Sequence, residues 1–265
     1  MPELRPPTIQ PKRKPRKNPE VDKRQCYPDG SYLRGVDLVN FVKAERGDTV
    51  LLSFSRGKDS IATWLYLREN GFEIVPFFMY LVPHMSWEDE SLAYYEEFFG
   101  QQIMRLPHPA FYWMLNKLQW ETPETVAVIR AMKLPYYNFA TMDNLIAMEH
   151  GLSEPFCAMG IRQCDGLERR RLIQQMGVVG IGERSRRRFY YPIWDWNIEQ
   201  ISRAILKAGV RLPADYNLFG RTVVALNYRR LREIKRQFPA DYARILEWFP
   251  LAELEIFRYE QVGAG

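Results

Sequence analysis

Residues 48–60 read Asp48-Thr-Val-Leu-Leu-Ser-Phe-Ser-Arg-Gly-Lys-Asp-Ser60, and the rest of the fold can be worked out from them. The first half is an aliphatic, β-branched run of strand length, which predicts a buried strand of a parallel sheet. The second half is a polar turn with one glycine, and the apolar spacing of residues 61–67 predicts a helix behind it. A strand, a tight turn and a helix N-terminus together favour an anion site, because the first backbone N–H groups of a helix lack partners.

The turn carries side chains that suit phosphate groups. Gly57 lets the backbone approach a ligand closely, Ser55 and Ser60 offer hydroxyl donors, and Lys58 adds a positive charge. A Walker A loop is excluded because Asp59 separates Lys58 from Ser60 and the upstream glycine is missing. A Rossmann glycine pattern is also absent from the sequence. The turn is therefore interpreted as a phosphate cradle of another kind.

The form Ser-Phe-Ser-x-Gly-Lys-Asp-Ser at residues 53–60 resembles the PP-loop of the ATP pyrophosphatases, and it looks most like the phosphoadenosine-phosphosulfate (PAPS) reductase branch. Arg56 stands where that family usually has a second glycine. Residues 160–171 resemble the family's Gly-x-Arg-x-x-Glu/Asp-Ser-x-x-Arg segment, with Gly166 in place of the serine. Weaker matches follow in the same order up to about residue 220. Asp165 is predicted to cap the helix that starts in the second segment.

The resemblance implies that ATP and Mg²⁺ are the ligands. An acceptor oxygen would attack the α-phosphorus, and pyrophosphate would leave. The roles implied for catalysis fall on Lys58, Asp59 and Arg162, and Asp59 either orders the loop or holds Mg²⁺. The residues implied in nucleotide binding are Ser53, Ser55, Arg56, Gly57, Ser60, Gly160, Arg169 and Arg170. Arginines near a helix N-terminus are unfavourable unless an anion lies nearby, which independently favours a phosphate site there.

The order of apolar segments predicts an α/β fold with a doubly wound, mostly parallel sheet, and the resemblance implies an adenine nucleotide alpha hydrolase-like form. Further strands are predicted at 72–81 and 102–106, and helices at 33–44, 88–99, 197–208, 228–237 and 242–249. Three residues after the second strand, His84, Ser86 and Trp87, are site candidates because ligands bind at the carboxyl ends of parallel strands. The histidines His84, His108 and His150 are scattered, so no histidine-based catalytic group is predicted.

Composition divides the chain into three regions. Residues 1–30 alternate proline with lysine and arginine and predict a disordered basic arm. Residues 31–222 are assigned to the nucleotide-binding domain, and within them the aromatic residues and prolines of 107–150 predict a helical insertion over the sheet. Residues 223–265 are predicted to form a C-terminal helical extension.

Two other functions stay open. A PAPS or sulfonucleotide reductase needs a nucleophilic cysteine, and the family's C-terminal one is missing, which leaves Cys157 or Cys164. A DNA- or RNA-binding component, or a DNA-modification enzyme, would use the basic arm together with Arg184, Arg186, Arg187 and Arg188. Relatives of this branch in phage and mobile elements are similar in lacking the reductase cysteine.

Three cysteines in 265 residues argue against a disulfide scaffold and favour a reducing, cytoplasmic setting. The longest apolar run is too short to span a bilayer, so no membrane association is expected. The sequence leaves the formation of a homo-oligomer open.

Overall fold

The structure, a computed structural model, describes residues 21–182, 186–214, 216 and 226–262. In these ranges six strands form one sheet in the order β3-β2-β1-β4-β6-β5. The strands are β1 (Thr49–Ser53), β2 (Glu73–Tyr80), β3 (Met104–Pro107), β4 (Cys157–Ala158), β5 (Val179–Ile181) and β6 (Arg188–Tyr190). Neighbouring strands are parallel except β5 and β6. The predicted α/β class with a mostly parallel sheet is confirmed.

Eleven α-helices accompany the sheet in the same ranges. They are α1 (Gly35–Arg46), α2 (Lys58–Glu69), α3 (Ser86–Phe99), α4 (Pro109–Asn116), α5 (Pro123–Met132), α6 (Phe139–Glu149), α7 (Leu167–Met176), α8 (Ile198–Ala208), α9 (Tyr228–Gln237), α10 (Pro239–Trp248) and α11 (Glu253–Val262). Local sequence sets several of their starts: Asn197 and Gln200 form a reciprocal capping box at α8. No helix in the described ranges is long and apolar enough to cross a membrane.

The sheet is buried on both faces. Val50 and Leu52 of β1 belong to a cluster that includes side chains of α1, α2 and α3. Leu51, between them, packs on the opposite face with Met142 and Ile146 of α6. Successive strand residues point to opposite faces, so one strand serves both layers. The segment predicted as a helical insertion contains α4, α5 and α6, and α6 covers the second face.

The helices after residue 226 have a hydrophobic core of their own. Ile245 of α10 and Phe249, which directly follows that helix, pack there with Trp87 and with Phe111 of α4. The Asp241 carboxylate of α10 accepts the backbone N–H of Ser86 at 2.9 Å and also the Ser86 hydroxyl. Two of the site candidates that follow β2 therefore serve this junction: Trp87 is buried in the core and Ser86 is bound to α10.

The fold extends further toward the N-terminus than the predicted boundary at residue 30. Gln25, which is fully buried, lies in a 3-10 helix (Lys23–Gln25). Its side-chain oxygen accepts the backbone N–H of Val178 at 2.7 Å and that of Val179 at 3.1 Å, and its amide donates to the Val179 carbonyl at 3.0 Å. Residues 21–30 are thus tied to β5, while the rest of the predicted arm lies outside the described residues.

Replacing Gln25 with alanine should destabilise the protein by about 1–3 kcal/mol, because the backbone groups of β5 lose buried hydrogen bonds. The free energy of unfolding in urea measures this. Arg24→Ala is the matched control, since Arg24 is exposed and its ion pairs with Asp22 and Glu45 lie at the surface. Equal stability of Gln25→Ala and the wild type would show that residues 21–30 are not part of the fold.

Candidate active site

A cleft lies at the carboxyl ends of β1 and β4, where the order of the strands in the sheet reverses. From β1 the chain proceeds to β2 and β3 on one side and then returns to β4 on the other side of β1. The carboxyl ends of strands at such a switch point leave a crevice, which is the usual ligand site of open α/β sheets. A cleft of about 510 Å³ opens here. Its lining includes Ser53, Ser55, Gly57, Lys58, Asp59, Ser60, Gly160 and Arg169 from the sequence-based set.

The N-terminus of α2 faces this cleft without a side-chain cap. The helix begins at Lys58, directly after Gly57 in the N-cap position. The Ser60 hydroxyl donates to the Gly57 carbonyl at 2.9 Å, and the Ser55 hydroxyl donates to Ser60 at 3.2 Å. The backbone N–H groups of the first turn are therefore not taken by a capping side chain. They and the positive end of the helix dipole suit an anion.

Asp59 is held between two positive charges. One carboxylate oxygen lies 2.6 Å from the Lys58 ammonium nitrogen, and the other lies 2.9 Å from Nε of Arg162. A Mg²⁺ ion is usually held by one or two carboxylates together with phosphate oxygens and water. Among the described residues that line the cleft Asp59 is the one carboxylate, and both of its oxygens already lie beside cations. Asp59 in this arrangement does not fit the predicted Mg²⁺ ligand and instead orders the loop.

Arg162 was expected to clamp the nucleotide, but it does not line the cleft. It is 3% exposed and bridges Asp59 to Asp165, whose carboxylate lies 2.5 Å from the guanidinium. Asp165 is therefore not the cap of α7. That helix starts at Leu167 after Gly166, which has no side chain to cap it. The arrangement makes Arg162 a positioning residue for the loop.

Gly160 fixes the distance between the loop and the segment after β4. A Cβ atom at this position would lie 2.7 Å from the Asp59 carbonyl carbon and 2.8 Å from its oxygen. Both are backbone atoms, which cannot move away as a flexible side chain could. Glycine is required here by the close approach of two backbone segments.

Arg56 replaces the family's glycine and keeps a glycine-like backbone, with φ at +64°. Its side chain was expected beside the phosphates, yet it is fully buried and points to α3. The guanidinium lies 3.2 Å from the Glu88 carboxylate, donates to the Ser91 hydroxyl at 2.9 Å and sits over the Phe78 ring. The charge of Arg56 thus anchors the loop to α3, while its backbone remains part of the turn.

The two neighbouring arginines of α7 differ in position. Both Arg169 and Arg170 are exposed, but only Arg169 lines the cleft. The structure therefore brings one of the two predicted arginines to the phosphate loop.

Seven residues that the sequence did not assign to the nucleotide site complete the described lining of the cleft, namely Met79, His108, Phe139, Met159, Ile161, Arg187 and Tyr216. Of these, Arg187 was assigned instead to the basic turn. Arg187 is buried and makes two hydrogen bonds to the Asp143 carboxylate, at 2.7 and 3.1 Å. Burial raises the pKa of Asp143, although Arg187 opposes this. The one usable signal for His108 was Pro109, which marks a helix start immediately after it.

The cysteines are poorly placed for nucleophilic attack in this cleft. Cys157 is fully buried in β4, and burial raises the pKa of its thiol to about 12. Cys164 is exposed, but it does not line the cleft and its thiol contacts the Trp196 carbonyl at 3.2 Å. A thiolate is needed for attack on sulfur, and neither thiol supplies one at the loop.

Comparisons with known proteins give similarity of structure alone. No family model matches the chain, and no curated protein matches it. Among solved structures it is similar to a PAPS reductase from Candida auris in a phosphate complex, at 14% identity, over 73% of this chain and 88% of that chain, with a TM-score of 0.44. It is also similar to an NH3-dependent NAD synthetase from Campylobacter jejuni in complex with nitrate, at 10% identity, over 86% of this chain and 94% of that chain, with a TM-score of 0.43. A third similar structure is the U34-tRNA thiolase NcsA from Methanococcus maripaludis with its [4Fe-4S] cluster, at 10% identity, over 87% of this chain and 83% of that chain, with a TM-score of 0.39.

All three neighbours are PP-loop proteins of the superfamily that the sequence resembles. Because their TM-scores lie below 0.5, they carry no argument about the reaction of this chain. That argument rests on the cleft itself.

Replacing Glu88 with glutamine should cost about 3–5 kcal/mol of stability, because the buried Arg56 charge loses its carboxylate. Urea unfolding measures the change. Glu90→Gln on the same helix is the matched control, since Glu90 is exposed, and a change of about 0.5 kcal/mol or less is expected for it. An equal effect of the two substitutions would contradict the anchoring role of Arg56.

Replacing Gly160 with alanine should displace the start of α2, because the new methyl group meets backbone atoms of Asp59. A lower melting temperature and weaker binding of ATP are both expected, measured by thermal unfolding and by calorimetry. A wild-type melting temperature together with wild-type ATP affinity would show that neither stability nor binding needs the close approach of Gly160 to Asp59.

Proposed function

We propose that this chain is a PP-loop enzyme that binds ATP in the cleft after β1 and transfers the adenylyl group to an acceptor. The observation that supports it most is the uncapped N-terminus of α2, which meets two serine hydroxyls and Lys58 at the switch point of the sheet. A volume of about 510 Å³ is within the range of small-molecule sites.

In the proposed reaction the backbone N–H groups of residues 58–60 hold phosphate oxygens, and the Ser55 hydroxyl joins them by turning its proton from Ser60 to the phosphate. Lys58 and Arg169 compensate the negative charge that moves onto the leaving pyrophosphate. An acceptor oxygen forms a bond to the α-phosphorus, and the bond from that phosphorus to the bridging oxygen breaks. Pyrophosphate leaves with the electron pair. Catalysis is then mainly positioning and charge stabilisation.

The ion pairs around Asp59 support this division of roles. They keep the carboxylate from repelling the phosphates, because Lys58 and Arg162 neutralise it. Any Mg²⁺ that accompanies ATP would be held by phosphate oxygens and water. No step above depends on a preformed metal site.

Sulfonucleotide reduction is a weaker candidate, because the Cys157 thiol is buried and the Cys164 thiol does not line the cleft. The nucleic-acid alternative depends largely on residues 1–20 and 183–185, which lie outside the described residues. Within the described part of the basic turn, Arg187 pairs with Asp143 and Arg188 pairs with Glu154. These two charges contribute to the fold, and ATP-dependent activation of an acceptor remains the preferred function.

Two adjacent arginines allow a matched test of the nucleotide site. Arg169→Ala should weaken ATP binding about tenfold, which corresponds to about 1.4 kcal/mol, because a charge-assisted contact to phosphate is lost. Arg170→Ala should change the dissociation constant less than about twofold, because Arg170 does not line the cleft. Calorimetric titration of the full chain with ATP measures both. Equal effects of the two substitutions would contradict phosphate binding at this position.

A further inference from the structure

One wall of the cleft comes from the helical insertion and includes His108 and Phe139. His108 is the last residue before α4 and occupies its N-cap position. Its ring meets Phe139 edge-on, with centroids 5.4 Å apart. The proposed contacts to ATP phosphates do not use this wall, so it is free to serve the second substrate.

The hydrogen bond at one ring nitrogen settles which tautomer His108 has. The backbone N–H of Ala110 donates to Nδ1 at 3.0 Å. A backbone amide can only donate, so Nδ1 carries a lone pair and no proton. In a neutral imidazole the proton must then sit on Nε2. Within the described part of the chain, Nε2 has no hydrogen-bond partner, and it is a donor.

The surroundings keep the ring uncharged. Burial lowers the pKa of His108, and the nearby Arg187 lowers it further. The imidazole therefore offers a hydrogen bond without a positive charge. It also cannot act as a base, because Nδ1 is occupied by Ala110 and Nε2 already carries a proton.

Among the described residues that line the cleft, the other side chain that could accept a proton, Asp59, is similarly committed. Both oxygens of the Asp59 carboxylate lie beside cations, on Lys58 and Arg162. An attacking hydroxyl or amine would therefore find no free base among these described residues to take its proton. An attacking carboxylate has no proton to lose.

We propose that His108 recognises the acceptor by donating its Nε2–H to one oxygen of a substrate carboxylate, while the other oxygen attacks ATP. The inference rests on the proposed adenylyl transfer. The new bond joins the attacking oxygen to the α-phosphorus, and the bond to the bridging oxygen breaks with its electron pair going to pyrophosphate. The product is a mixed anhydride of the carboxylate and AMP, and no proton changes place.

Two substitutions separate the two sides of the imidazole. In His108→Asn the side-chain oxygen can still accept the N–H of Ala110, as asparagine does at other N-caps, but the distal donor is lost. In His108→Gln the amide extends far enough to restore a distal donor, while the cap is weakened. The asparagine variant should keep the wild-type melting temperature and ATP affinity, which shows that the fold and the nucleotide site are intact.

The first measurement concerns the tautomer and needs no acceptor. Long-range ¹H–¹⁵N NMR spectra of the full chain, with the His108 signal assigned by its loss in His108→Asn, should show a neutral ring with the proton on Nε2 at pH 7. A charged ring, or a proton on Nδ1, would overturn the proposal. ATP titrations on the same samples report separately on the proposed function, which fails if ATP does not bind.

The second measurement follows pyrophosphate release from ATP with three sets of acceptors: carboxylates (acetate, glutamate, citrate), alcohols (glycerol, ribose) and the amine spermidine. Release should depend on a carboxylate, fall at least tenfold in His108→Asn, and recover in part in His108→Gln. Release with alcohols or amines alone, equal release in His108→Asn and the wild type, or no response to any carboxylate would each overturn the inference.

Discussion

The site depends on the ion pair between Asp59 in the first turn of α2 and Arg162 after β4. This contact joins the two segments that diverge at the switch point of the sheet, and Gly160 lets them approach closely enough to form it. Arg162 also binds Asp165, and this second ion pair fixes the position of the guanidinium that contacts Asp59. The uncapped N–H groups of α2 therefore keep a fixed position relative to the far wall of the cleft, which is what phosphate binding by positioning requires.

The departure of this loop from the family pattern has a structural explanation. A non-glycine residue in the left-handed region is strained by about 1–3 kcal/mol, and Arg56 adopts that conformation. Its buried contacts with Glu88 and Ser91 offset the strain and connect the loop to α3. The N-terminus of α3 is in turn bound by Asp241 of α10, so the C-terminal helices contact the same helix to which Arg56 anchors the loop.

Local patterns predicted the parts of the fold that local physics controls. The strand β1, the helix α2 and the extent of α8 and α9 follow from apolar runs and from asparagine caps at Asn197 and Asn227. The directions of Arg56 and Arg162 could not be predicted, because each depends on carboxylates brought near by folding: Glu88 for Arg56, and Asp59 and Asp165 for Arg162. Arg187 was assigned to a basic turn, and His108 to no site, for the same reason: Asp143 lies 44 residues from Arg187, and His108 reaches the cleft only through the insertion.

The most direct measurement is the response of the backbone amides of Lys58, Asp59 and Ser60 to a non-hydrolysable ATP analogue, followed by ¹H–¹⁵N NMR on the full chain. Saturable shifts that are largest at these three amides are expected, because phosphate oxygens accept their hydrogen bonds. Binding that leaves these amides unchanged, with shifts confined to another surface, would contradict ATP binding at the start of α2.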